Sequence, residues 1–377
     1  MNVKLNSQTY KTVTYDMLRL ISGLFDESAA PVKLSDGCLV DMFTIAKHHH
    51  LTALTALALK RTGIKSEPFE IALAQSQRRM VLMKAEYSRL SQELARERIA
   101  HMPLKGIVVS DMYPSFGTRE ISDIDILIDP DAYEAVFNIM SKNGYDVVHY
   151  NKTNHDVYQK PPLFTVEMHR TLFDRDYYKK KQAYFDAQNY QLNKDNPYLM
   201  QMTIAQTYIY LVTHMHMHYA TTGIGLRSLL DIYLFLKDNK DKLDFEAIQN
   251  EMQEIGIANY EIKMRNLAEK FLYPDKLLPE EAEELDYYIF SGMSGKKQQL
   301  TENLISEWQA EHPNGTKLGY IRKRFALSDR MIRDDPFYSK HPKLLPLMYV
   351  TRPIKAVFTK PKALITEWTI LKNHFDH

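Results

Sequence analysis

Ser122-Asp-Ile-Asp-Ile-Leu-Ile128 decides the fold. Acidic and apolar residues alternate at its start, and side chains at i and i+2 of a strand point to the same face. Asp123 and Asp125 therefore project together, while Ile124, Ile126 and Ile128 form the opposite face and belong in a core. Two carboxylates held this close repel each other, and beside a core they are poorly solvated. A divalent cation is the simplest compensation. Magnesium suits it best, because it takes hard oxygen ligands and leaves positions for substrate phosphates.

Upstream, Pro103-Leu-Lys-Gly-Ile-Val-Val-Ser110 reads as a strand ending at Lys105-Gly106 and running into a helix start. Glycine at that point lets backbone N–H groups approach a phosphate, and a helix N-terminus favours an anion. Downstream, Phe164-Thr-Val-Glu-Met-His169 is a second strand with Glu167 and His169 on one face. Two acids on one strand and a third on another are the set that metal-assisted phosphoryl chemistry needs. The pair bridges metal ions, and the third completes one ion's shell or takes a proton. Glu167 has a second reading as the partner of Arg170 or Arg119 in an ion pair. Lys105 and Arg119 are cations placed to neutralise a triphosphate, or else surface charges. His169 is a group hydrogen-bonded to the carboxylates, a proton relay or a packed histidine, since magnesium prefers oxygen ligands.

These residues carry a resemblance. Leu104-Lys-Gly106, Tyr113-Pro114, Arg119, Asp123-Ile-Asp-Ile-Leu127, Gly144-Tyr145 and Val166-Glu-Met-His-Arg170 resemble the uncharacterised nucleotidyltransferase family of the DNA polymerase beta-like superfamily. The likeness runs continuously over residues 80 to 240 and more weakly into both flanks. One departure stands out: the superfamily's glycine loop is usually Gly-Ser or Gly-Gly, whereas Gly106 precedes Ile107. The resemblance implies transfer of a nucleoside monophosphate from an NTP to an acceptor hydroxyl, releasing pyrophosphate. It implies two magnesium ions, with manganese as the alternative, held by Asp123, Asp125 and Glu167. Lys105, Gly106, Arg119 and His169 would contact substrate. A nucleotide-binding module without transfer is the alternative on the same fold.

Composition narrows the rest. The chain has 377 residues, 45% hydrophobic and 25% charged, within the range of an ordinary globular protein. Its net charge of +1, from 48 basic and 47 acidic residues, offers no global field for bulk nucleic-acid binding. Lys179-Lys-Lys181 and Arg322-Lys-Arg324 read as solvated charge. A lone cysteine, Cys38, excludes an intrachain disulfide and a multi-cysteine zinc site. With no apolar signal core and no run near the roughly 20 apolar residues of a membrane span, a reducing cytoplasm is the expected compartment. The acceptor stays open among a small molecule, a sugar, a protein and an RNA end.

The expected architecture is α+β: a minimal mixed nucleotidyltransferase sheet flanked by helical regions. Residues 1–100 form the N-terminal helical region, with helices over 13–25, 39–60 and 69–100. Residues 101–195 form the α/β core, in which Asp129-Pro130 starts a helix that Gly144 ends and 145–150 and 163–169 are strands. Residues 196–377 form the C-terminal helical region, broken at Pro313-Asn-Gly315 and closed by a proline-rich wrapping tail. His214 and His218 share a helix face and read as a binding-pocket wall or part of a half-buried helix, and Arg227 and Asp231 as an i,i+4 ion pair. No Gly-x-Ser-x-Gly elbow or Walker loop supports nucleophilic catalysis or a P-loop.

Overall fold

A computed structural model describes residues 6–26, 34, 37–221, 223–291, 305, 316–325, 336–359, 368–369 and 371. Its centre is a five-stranded mixed sheet of β1 (His101–Pro103), β2 (Ile124–Ile128), β3 (Asp146–His149), β4 (His155–Lys160) and β5 (Phe164–His169). The order is β1-β2-β5-β4-β3, with β2 and β5 parallel and every other pair antiparallel. Ile124, Ile126 and Ile128 are at most 1% exposed. Burying each stabilises the fold by about 1.5–3 kcal/mol. That burial locks the register, because a slip of one residue would drive Asp125 into the core and an isoleucine into the cavity opposite.

The isoleucine face packs on two helices. The helix α4 (Glu67–Arg96) follows α1 (Ser7–Ser22), α2 (Cys38–His48) and α3 (Thr52–Arg61). It buries Met80, Met83, Leu90 and Leu94 against the sheet at three- and four-residue spacings. A single turn, α5 (Gly106–Val109), follows β1, so the helix expected behind Gly106 is too short to carry much of a dipole. Between β2 and β3, α6 (Tyr133–Lys142) adds Val136, Ile139 and Met140 to the same core. As expected, Asp129 caps this start by accepting from the Asp131 N–H, and Gly144 ends it at φ +75°.

The other face of the sheet turns to a larger helical core. It receives α7 (Lys179–Asp186), α8 (Ile204–Thr221), α9 (Leu226–Asn239), α10 (Phe245–Ile255), α11 (Ala258–Lys270) and α12 (Pro279–Ser291). Met17 and Ile21 of α1, Leu54 of α3, Leu229 and Phe235 of α9 and Tyr288 of α12 all lie in this core, together with Leu127 of the sheet. Helices that precede and follow the sheet in sequence thus share one interior. In the tail, the described helices are α13 (Lys317–Phe325), α14 (Pro336–Lys340) and α15 (Leu345–Thr359). The Pro313-Asn-Gly315 break lies outside the described residues.

Three local expectations need correction. The helix expected over 39–60 is two helices, because His49, His50 and Leu51 turn the chain and His50 adopts φ 54°. A strand was not expected at 155–160, yet β4 pairs along the whole of β5. Its alternation is masked by a buried aspartate, Asp156, which accepts from the Asn151 N–H at 2.7 Å. Lys181 is buried over the Tyr178 ring and is not a solvated charge.

Candidate active site

The geometry begins with strand register. Asp125 stands opposite Glu167 across the parallel β2–β5 pair, and His169 stands opposite Leu127. Alternation sends Val166 and Met168 to the isoleucine core and leaves Glu167 and His169 beside Asp125. Asp123 lies one residue before β2. Asp123, Asp125 and Glu167 all line a cavity of about 270 Å³ between the sheet and helices α8 and α9. The three acids read from the sequence are therefore brought together.

Their charges are held unequally. Oδ1 of Asp125 accepts from Lys105 Nζ at 2.8 Å and lies 3.0 Å from His169 Nε2. Burial alone would raise this carboxyl, but Lys105 and His169 outweigh it and hold it well below the usual range. Asp123 is the opposite case. Burial raises it, and the neighbouring charges of Asp125 and Glu167 raise it further. It accepts from the Ser122 hydroxyl at 3.0 Å, and among the described residues no cation pairs with it. For Glu167, burial raises the carboxyl, but the contact with His169, 3.4 Å away, outweighs this and leaves it lowered. The expected alternative for Glu167, an ion pair with Arg170 or Arg119, does not form. Its neighbours are His155 and His169.

The cations are placed less simply than expected. Lys105 sits at φ 47°, ψ −111°, a conformation that side-chain-bearing residues adopt at a cost of about 1–3 kcal/mol. This turn brings its ammonium onto Asp125. Gly106 lines the cavity, and a Cβ there would lie 2.9 Å from Arg119 Nη1, so the glycine also makes room for arginine. Arg119 itself is buried. Its Nε and Nη2 donate to Asp231 Oδ1 and Oδ2 at 2.9 and 2.7 Å, and Tyr113 Oη donates to Oδ1 at 2.7 Å. Arg119 therefore clamps the loop before β2 onto α9, and only Nη1, beside Gly106, is not held by Asp231. The expected Arg227–Asp231 pair is absent, since Arg227 Nη1 donates to the Glu120 carbonyl at 2.9 Å.

Helix α8 forms the roof. His214 and His218 line the cavity with their Nε2 atoms 3.3 Å apart, as the pocket-wall reading has it. Burial depresses both, His214 well below its usual value. His216 points away and packs on the Tyr260 ring. His155 was missed. It sits directly across from His169, with ring centroids 4.9 Å apart, and burial together with His169 pushes it down to about 4. Its only signal in the sequence was membership of a strand that did not look like one.

The donor set fits a hard divalent cation. Asp123 is half-buried with no ion-pair partner among the described residues, and none of these hydrogen-bonds to Asp125 Oδ2, so oxygens remain for an ion. A mixed sheet with an acid pair at the start of one strand and a third acid on its parallel neighbour, flanked by helices, is consistent with a nucleotidyltransferase fold. The family model for uncharacterised nucleotidyltransferases matches residues 41–273, and the chain belongs to that family. The match spans the whole sheet and every residue of the cavity. No curated protein and no solved structure matches the chain. Among the described residues, no helix is long and apolar enough to cross a membrane.

Proposed function

We propose that this nucleotidyltransferase moves a nucleoside monophosphate from an NTP to an acceptor hydroxyl, using Asp123, Asp125 and Glu167 at a magnesium site. The observation that carries this is the meeting of three acids on one cavity, one of them without an ion-pair partner among the described residues. Magnesium, or manganese in its place, would be held by these carboxylates and would supply positive charge to the α-phosphate and the departing pyrophosphate.

The chain's own groups do the rest. The acceptor oxygen bonds to the α-phosphorus, the bond from that phosphorus to the bridging oxygen breaks, and pyrophosphate leaves with the electron pair. Glu167, ionised because His169 outweighs its burial, takes the hydroxyl proton or else serves as a ligand. Lys105 and the Gly106 turn hold phosphate oxygens, with Arg119 contributing through Nη1. His169 orients Asp125 through its 3.0 Å contact. Catalysis here is mainly positioning and charge neutralisation. The near-neutral surface favours a small molecule or a protein as acceptor over a nucleic acid.

The test is release of pyrophosphate from each NTP, with magnesium and a panel of acceptor hydroxyls, in wild type, Asp123→Asn and Asp125→Asn. Each variant should lose at least about 100-fold, equivalent to roughly 2.7 kcal/mol of transition-state stabilisation. Full activity in both variants refutes the reading. A second reading, nucleotide binding without transfer, is favoured by one feature: Lys105 already neutralises Asp125. Calorimetry separates the two, since that reading requires NTP binding with no pyrophosphate from any acceptor.

A further inference from the structure

Behind the acid pair, a second donor set converges. His155 Nε2 lies 3.8 Å and His169 Nε2 3.4 Å from Glu167 Oε2. One ligand atom from each of the three residues falls within 4.8 Å of the others. Bonds of about 2.0–2.2 Å to one ion place ligand atoms roughly 3–3.5 Å apart. One separation already fits, a second needs a shift of a few tenths of an ångström, and the third, between the two imidazoles, lies within 4.8 Å. The ligands stand on a rigid ladder, because His155 and His169 are direct cross-strand partners and Glu167 is two residues from His169 on the same face.

The His155 imidazole is set for the task. His155 Nδ1 lies 3.3 Å from the Asn154 side-chain oxygen, and an N–H donated there leaves the Nε2 lone pair pointing at the cluster. Holding the distal ring nitrogen is how proteins orient a metal-binding histidine. His169 differs: its Nδ1 is buried with no hydrogen-bond partner among the described residues, and its Nε2 faces both Asp125 and Glu167, at 3.0 and 3.4 Å. His155 and Glu167 are about a quarter exposed, which gives an ion a way in.

We propose that His155, Glu167 and His169 bind a first-row transition-metal dication, next to the acid pair that favours magnesium. Two imidazole nitrogens and one carboxylate suit manganese, cobalt or zinc, whereas magnesium avoids nitrogen. The site shares Glu167 with the transfer centre. What the ion does to transfer rests on the reading above, whereas its binding does not.

Manganese added to the protein without nucleotide is the probe, read by electron spin echo modulation, which detects nitrogen bound directly to the ion. Wild type should show imidazole nitrogen. His155→Ala and His169→Ala should each lose part of that signal, and Asp123→Asn should keep it. Wild type showing only oxygen ligation overturns the proposal, as does a nitrogen signal unchanged in folded His155→Ala. Should a variant fail to fold, the wild-type spectrum alone decides. Nitrogen-ligated manganese in a protein that transfers nothing would sink the transfer reading and leave this one standing.

Discussion

Removing the Asp231 carboxylate tests the tertiary logic of the site most directly. In wild type the Arg119 and Asp231 side chains are 6% and 12% exposed, and three hydrogen bonds converge on Asp231. Asp231→Ala leaves a guanidinium buried without its countercharge and strands the Tyr113 hydroxyl. Breaking such a buried pair from one side costs about 3–5 kcal/mol. With roughly 2.1 cal/mol/K of unfolding entropy per residue, the whole chain has about 0.8 kcal/mol/K, so the melting temperature should fall by about 4–6 °C. Thermal scans at a fixed rate, followed by circular dichroism and checked by urea midpoints, measure this. Arg119→Met, Tyr113→Phe and Asp231→Leu combined remove the charges and the stranded hydroxyl together, and should recover much of the loss. Asp231→Ala melting within 1 °C of wild type, or a triple variant no better than the single one, refutes the argument that a buried charge pair clamps the loop to α9.

Gly106→Ala should lower both stability and NTP affinity, because its new Cβ meets Arg119 Nη1 at 2.9 Å and must push the clamp aside. Unchanged melting and nucleotide titration would show that the glycine serves neither end. A pH series tests the buried histidines. Burial drives His49 down to about 3, with its ring between the Tyr10 hydroxyl and the Leu226 N–H. The unfolded imidazole takes a proton near pH 6.5 and the folded one only near 3, so the unfolded state binds more protons in between. Stability therefore falls as pH drops through that window, by about 2 kcal/mol at pH 5 from this residue. His49→Gln should flatten the decline in melting temperature between pH 7 and 5, and an unaltered slope would count against it.

Much of the fold could be read from local pattern. The acid pair, the third acid, the long helix before β1 and the Asp129–Gly144 helix all follow from periods of 2 and 3.6 and from terminal residues. Where the reading failed, neighbours in sequence were not the deciding partners. β4 hid because the burial of Asp156 depends on the Asn151 N–H and Arg170. Arg227 and Asp231 have ideal helix spacing, yet an exposed i,i+4 pair gains only about 0.3–0.5 kcal/mol. A buried bidentate contact with Arg119, distant in sequence, easily outcompetes it.

The sequence by itself determined which groups are available and which face of its strand each one takes, because alternation is a property of consecutive residues. Only the tertiary structure decided who meets whom. Strand register set Glu167 against Asp125 and His155 against His169. The strained turn at Lys105 laid an ammonium on one acid, Asp125, while no ion pair forms on Asp123 among the described residues. Those pairings arise from long-range packing, where desolvation multiplies the strength of every charge contact and so selects partners that no local spacing announces.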